Sequence, residues 1–164
     1  MKKVGIVMGS DSDLPVVQKA VTTLESLDIP YEVHVYSAHR TPDQATEFAR
    51  NAMDNDFGVI ISVAGMAAHL GGVIAANTTL PVIGIPCKSK ALDGIDALLS
   101  TVQMPPGIPV ATVAIDGGVN AALLSAQILA LGDKDLATKL KSKRQKDAEA
   151  VLAKDAGILD RLEK

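Results

Sequence analysis

Five short apolar runs, each closed by a turn and followed by a segment of helical periodicity, leave this chain few ways to fold. The runs are residues 3–8, 31–36, 57–63, 80–85 and 110–115. The first helical segment repeats apolar residues at Val17, Ala20, Val21, Leu24 and Leu27, with Ser12 or Asp13 as its cap. The second repeats Ala45, Phe48, Ala49, Ala52 and Met53, a 3.6-residue stripe. A short helix through about Ala76, one over 94–102 and one over 120–131 follow the later runs. Strands alternating with helices predict a parallel sheet covered on both faces, joined by right-handed crossovers. The run 31–36 alternates Glu32 and His34 with Val33 and Val35, which marks an edge strand with one wetter face. His34 there reads as a surface residue. The expected fold is therefore α/β, a flavodoxin-like three-layer sandwich with a five-stranded parallel sheet of order 2-1-3-4-5.

At 164 residues the chain has the length of one α/β domain with a sizeable core. Residues 1–132 read as that core and 133–164 as a helical arm carrying Lys139, Lys141, Lys143, Arg144 and Lys146. Aromatic residues make up 2% and tryptophan is absent, which speaks against stacking of nucleic-acid bases. A formal net charge of −3 speaks against a general nucleic-acid binder. The single cysteine, Cys87, rules out an internal disulfide framework, fits a reducing cytoplasm and reads as a small buried thiol. Lysines 2 and 3 with the apolar run behind them have the outline of a signal peptide, but residues 9–13 break the run too early. No uninterrupted apolar stretch approaches the length of a membrane span.

Three turns carry the chemistry. Ser37-Ala38-His39-Arg40-Thr41-Pro42 lies between the second strand and its helix. Thr41 stands as the helix cap, Pro42 suits the first turn, and Gln44 occupies the capping-box position. His39 and Arg40 thus face a helix start whose backbone N–H groups favour an anion. Arg40 adds a planar charged fork that fits phosphate, and His39 can move a proton near neutrality. Ser10, Asp11, Ser12 and Asp13, after the first strand, offer hydroxyl and carboxylate partners to a ribose or to helix amides. Ala64-Gly65-Met66-Ala67-Ala68-His69-Leu70, after the third strand, lets backbone approach a ligand closely. His69 is either a ligand contact or a hydrogen-bonded structural residue. In a sheet of order 2-1-3-4-5 all three turns fall at the carboxyl edge around the switch point, where ligands bind.

Other relatives of this architecture fit poorly. There is no Gly-x-x-x-x-Gly-Lys-[Ser/Thr] loop and no dinucleotide fingerprint after the first strand. A receiver domain would place an acidic residue at the end of the third strand, where Ala64-Gly65 stand. A flavodoxin would need aromatics over its flavin. No closely spaced His, Cys and carboxylate set suggests a metal.

Taken together, Met8-Gly9-Ser10-Asp11-Ser12-Asp13, residues 37–42, residues 64–70, Val102-Gln103-Met104-Pro105, Gly107-Ile108-Pro109-Val110 and Asn120-Ala121-Ala122-Leu123-Leu124 closely resemble the N5-carboxyaminoimidazole ribonucleotide mutase family of purine biosynthesis. The resemblance runs from Val4 to about Leu131. It implies a flavodoxin-like cytoplasmic homo-octamer that needs no ATP, metal or organic cofactor. The implied reaction moves a carboxylate from the exocyclic nitrogen to carbon 4 of an imidazole ribonucleotide. The resemblance further implies His39 as the general acid/base, Ser10 and Asp13 on the ribose phosphate, and Arg40 on the phosphate. Asp11, Ser37 and Ala38 complete the implied substrate pocket. Ala64, Gly65, Met66, Ala67, His69 and Leu70 wall the carboxylate and imidazole. Met66, Gly71 and Pro106 depart from residues common in bacterial members, which have glycine, proline and a basic residue there. A branch that carboxylates aminoimidazole ribonucleotide directly with carbon dioxide typically reads Arg-Ser-Asn at 66–68, whereas this chain reads Met-Ala-Ala. The alternative readings are that direct carboxylase and a non-catalytic nucleotide-binding module.

Overall fold

The computed structural model describes residues 1–162. Five strands, β1 (Lys3–Met8), β2 (Tyr31–Val35), β3 (Phe57–Gly65), β4 (Val82–Cys87) and β5 (Ala111–Thr112), form one sheet. All pairings are parallel, in the order β2-β1-β3-β4-β5. The helices are α1 (Leu14–Ser26), α2 (Pro42–Asn51), α3 (Leu70–Ala75), α4 (Ile95–Val102), α5 (Gly118–Leu129), α6 (Lys134–Ala156) and α7 (Leu159–Leu162).

The connection from β1 to β2 runs one way along the sheet, and those from β2 to β3, β4 and β5 run the other. Right-handed crossovers therefore place α1 on the opposite face from α2 and α3. Two separate cores follow. On one face, Val4, Ile6, Val59, Ile61, Ile83 and Ile85 meet α1 and α5 through Val17, Ala20, Leu24, Ala121, Ala122 and Ala126. On the other, Val7, Ile60 and Val82 meet Ala45, Ala49, Leu70 and Ile74. The β-branched residues of the central strands are buried on both faces, which is why those strands read as continuous apolar runs.

The order and the edge position of β2 are as the sequence predicts; several boundaries are not. β3 runs two residues further, to Gly65, and carries backbone into the glycine-rich turn. β4 starts at Val82 and includes Pro86 and Cys87, although a proline was expected to lie past its end. β5 pairs only with Ile83 and Gly84, so at Pro86 that side of β4 has no strand neighbour and a missing N–H costs no ladder bond. The Pro86 carbonyl there accepts from Asp116 N at 2.9 Å. The expected fifth strand shrinks to two residues because the chain folds back, with Gly117 N donating to Ala114 O and Asp116 at φ +56°. His34 is also not a plain surface residue. It is partly buried and stacks on Tyr36, ring centroids 5.0 Å apart and 9° from parallel.

The arm starts firmly and then leaves the core. The Asp133 carboxylate caps α6 by accepting from Asp135 N (3.1 Å) and Leu136 N (3.0 Å). Leu136 is fully buried, and Lys139 reaches Asp28 at 2.7 Å beyond α1. Past Leu140 almost every α6 side chain faces solvent. Residues 163–164 of the expected arm lie outside the described residues.

Helix α5 approaches α1 most tightly at Gly118, where its chain lies against the α1 backbone. A Cβ added at Gly118 would stand 2.4 Å from Val16 O and 3.2 Å from Ala20 N, both backbone atoms that cannot swing aside. Gly118→Ala is expected to destabilise the protein by about 1–3 kcal/mol, as overpacking does. Urea denaturation checks this; an unchanged midpoint would show that the two helices slide apart freely.

Candidate active site

At the carboxyl ends of β1, β2 and β3 the three turns meet. Met8 is in register with Val35 on one side and Val63 on the other, so the residues after these strands leave the sheet together. Gly9 N donates to Val63 O at 3.0 Å, and Tyr36 N donates to Met8 O at 3.0 Å.

The Ser37–Thr41 turn is tied internally. Thr41 N donates to Ser37 O (2.9 Å), Ser37 N donates to Thr41 Oγ1 (2.8 Å), and that hydroxyl donates to Ser37 O (3.2 Å). Thr41 occupies the N-cap position of α2, but its hydroxyl makes no bond to the helix, so the expected capping box does not form. The hydroxyl is spent on the turn instead. Ser37 Oγ accepts from His39 N (3.3 Å) and Arg40 N (3.2 Å). Those two amides are therefore occupied within the turn, while the first amides of α2 receive no side-chain cap from Thr41. Arg40 is exposed, with Nη2 donating to Gly9 O at 3.2 Å across the crevice.

The turn after β1 also differs in its capping. Ser10, rather than Ser12, is the residue whose hydroxyl accepts from Ser12 N (3.3 Å), opening a 3₁₀ turn over Asp11–Asp13. Asp13 stands at the N-cap of α1 without capping it, and Pro15 follows in the first turn. Its carboxyl is held above the ordinary carboxylate range, chiefly by burial, and the charges of Asp116 and Asp11 add to this. The Cys87 thiol and the Ser10 backbone pull the other way. Cys87 is buried at the end of β4. Burial first, then Asp13 and Asp116, push its thiol far above its ordinary range, so it is no nucleophile at neutral pH. Asp116 was not among the sequence candidates. Its carboxylate accepts from Lys88 N at 2.9 Å, tying the turn after β5 to the loop after β4, and nothing in its local sequence marks that contact.

The third turn brings His69 against His39. Nε2 of His39 lies 2.9 Å from Nδ1 of His69, with ring centroids 5.0 Å apart and the planes 82° from parallel. Two neutral imidazoles so placed share one N–H; when His39 is protonated it donates to the His69 lone pair. Both rings are exposed at the crevice, where a ligand can reach them. Thirty residues separate the two histidines, so local pattern gave no sign of the pair. Ala64 and Gly65 end β3, Ala67 is exposed, and Leu70 is buried as the first residue of α3. Met66, at φ +56°, holds a backbone conformation that favours glycine, with its side chain 65% exposed. Ala38 is partly buried against the core on the α2 face.

The sequence profile of AIR carboxylase matches residues 3–150. The chain belongs to the AIR carboxylase family. A relative from Pyrococcus abyssi named N5-carboxyaminoimidazole ribonucleotide mutase is 59% identical over 145 residues, covering 88% of this chain and 83% of that protein. One of the same name from Bacillus subtilis is 55% identical, covering 91% and 93%. Among solved structures, PurE from Treponema denticola superposes with a TM-score of 0.85 at 32% identity, over 93% of this chain and 96% of that one. Membership of the AIR carboxylase family agrees with the resemblance read from the turns. The five-stranded parallel sheet is the shared framework.

The raised Asp13 carboxyl sets a pH dependence. The folded state binds this proton more tightly than the unfolded state, so native stability falls as pH rises through the raised value. Asp13→Asn is expected to raise Tm at pH 7, with the gain shrinking as pH is lowered from the raised value to the ordinary carboxylate range and absent below it. Thermal melts of both proteins across pH 3–7 read this difference; a gain that persists at the acid end would refute it.

Proposed function

We propose that this chain converts N5-carboxyaminoimidazole ribonucleotide to 4-carboxy-5-aminoimidazole ribonucleotide in purine biosynthesis, with His39 as the general acid/base. The observation that carries the assignment of His39 is its place: an exposed imidazole, braced by His69 and one residue from the Arg40 guanidinium, at the mouth of the crevice. Relatives more than 50% identical carry the mutase name.

In this reading Arg40 takes the phosphate, and Ser10, Asp11 and Asp13 take the ribose phosphate beside it. Ser37 and Ala38 shape the wall below. Phosphate anchoring away from the reacting ring fixes the imidazole and supplies much of the rate gain. Protonated His39 gives a proton to the exocyclic nitrogen as the N–CO2 bond breaks, with the bonding pair staying on nitrogen. The carbon dioxide released is held against the backbone of Ala64, Gly65, Met66 and Ala67, with His69 and Leu70 closing the far side. Carbon 4 then uses its ring π electrons to form the new C–C bond. Neutral His39 removes the proton left on carbon 4 and returns to its starting charge. His69 suits this cycle because its Nδ1 can accept from His39 Nε2, leaving the second His39 nitrogen to face the substrate. No cofactor enters these steps.

The same reading makes the working protein a cytoplasmic homo-oligomer, an octamer, in which residues 1–132 are the folded core and the arm from 133 leans on a neighbouring subunit. The solvent-facing outer half of α6 supports an arm of that kind.

Paired rate assays without ATP test the activity. Fast conversion of N5-carboxyaminoimidazole ribonucleotide, with slow use of aminoimidazole ribonucleotide and carbon dioxide, is the expected result; the reverse would make the protein a direct carboxylase. His39→Asn is expected to lower kcat by about 10²–10⁴-fold while phosphate-ligand binding survives. Retained turnover in that variant would remove His39 from the mechanism. Light scattering coupled to the assay checks the assembly, and an active monomer would overturn it.

A further inference from the structure

The turn that carries His69 has one backbone bond of its own, His69 N donating to Ala67 O at 2.9 Å, and is otherwise tied to a distant helix. Met66 holds a positive φ, and the side chain of Ala67 is exposed. Ala68, by contrast, is 2% exposed, and its backbone N–H has one partner among the described residues, Ser100 Oγ of α4 at 3.1 Å. The same hydroxyl has one proton and three carbonyls in reach, Asp96 O at 2.6 Å and Ala97 O at 3.3 Å within α4 and Met66 O at 3.3 Å in the turn; the shortest contact takes the proton and leaves a lone pair for Ala68 N. Helix α4 itself is fixed to the sheet, with Thr101 buried over Gly84. One residue after this clamp comes His69, whose ring meets His39 at 2.9 Å.

We infer that Ser100, which has no place in the substrate pocket, is a positioning residue for the His39–His69 pair. Its hydroxyl fixes the Ala68 backbone against α4 and thereby sets where the His69 ring meets His39. A buried N–H that loses its acceptor must find water or another partner. The route open to Ala68 is for the turn to roll outward, a motion that also lets Met66 leave its left-handed conformation. His69 then moves off His39, and His39 loses the brace that selects its tautomer. Arg40 and Ser10 stand on other turns, so the phosphate and ribose anchors are untouched and the loss falls on the reacting end of the pocket. The inference rests on the proposal that His39 works in proton transfer.

The test is the series Ser100→Ala, Ser100→Cys and Ser100→Thr, read by steady-state kinetics and by nitrogen-15 spectra of labelled histidine. Ser100→Ala is expected to lower kcat on the order of 10–100-fold, as small misplacements do, with KM little changed. The His39 and His69 ring-nitrogen shifts are expected to move away from a single shared proton, and the pH profile of kcat to shift with them. Thr restores both readouts, and Cys, a weaker acceptor, falls between and serves if the Ala variant does not fold. A lowered Tm with unchanged kcat and unchanged ring-nitrogen shifts would overturn the inference and leave Ser100 a purely structural residue. His39→Asn in the same assays keeps the two ideas apart. If it retains turnover, the proton-transfer proposal fails, whereas the spectra of the Ser100 series still report whether the hydroxyl sets the pair.

Discussion

The reversal of winding direction at β1 is the constraint on which the rest of the structure depends. Because the chain first steps from β1 to β2 and then returns past β1 to β3, the turns after these three strands open onto one edge with no helix between them. Strand register then places Gly9, Tyr36 and the end of β3 side by side. Each later contact uses that alignment. Arg40 reaches back to the Gly9 carbonyl, and His39 reaches forward to His69, over distances that side chains from separated strands could not span.

Polar groups at this edge are mostly committed to one another. Ser37 serves two amides, Thr41 serves Ser37, Ser10 serves Ser12, Ser100 serves Ala68, and Asp116 serves Lys88. The groups left to face a ligand include the Arg40 N–H groups not spent on Gly9 O and the outer nitrogens of the histidine pair. Such a division suits a small anionic substrate. The committed groups keep the turns rigid, and the uncommitted ones meet the ligand without first breaking bonds to the protein. The Asp13 carboxyl belongs to neither set fully. Half-buried near Asp116, it is unfavourable for folding when charged, and its retention there fits a residue kept for the ligand rather than for stability.

Much of this was legible in the residues. The apolar runs, the alternation in β2 and the helix stripes were enough for the strand order, because a parallel sheet with right-handed crossovers admits few arrangements. The convergence of residues 10–13, 37–40 and 64–70 followed from that order. Asp13 and Thr41 hold N-cap positions as the sequence suggests, yet neither side chain bonds its helix, because a polar group near a helix start has several backbone partners within reach and only the folded turn chooses among them. Ser100 and Asp116 were invisible, because the groups they hold are 32 and 28 residues away and neither sits in a recognisable motif.

The sequence by itself determined the sheet, its order and the turns brought together at its carboxyl edge, since periodicity and turn chemistry act over a few residues and crossover handedness does the rest. Only the tertiary structure decided which of those residues touch. The 2.9 Å meeting of His39 and His69, the clamp on Ala68 and the burial of Cys87 beside Asp13 all depend on register between elements far apart in the chain. Hydrogen bonds resolve tenths of an ångström. Hydrophobic patterning, which is non-directional, places elements without fixing atoms to that precision.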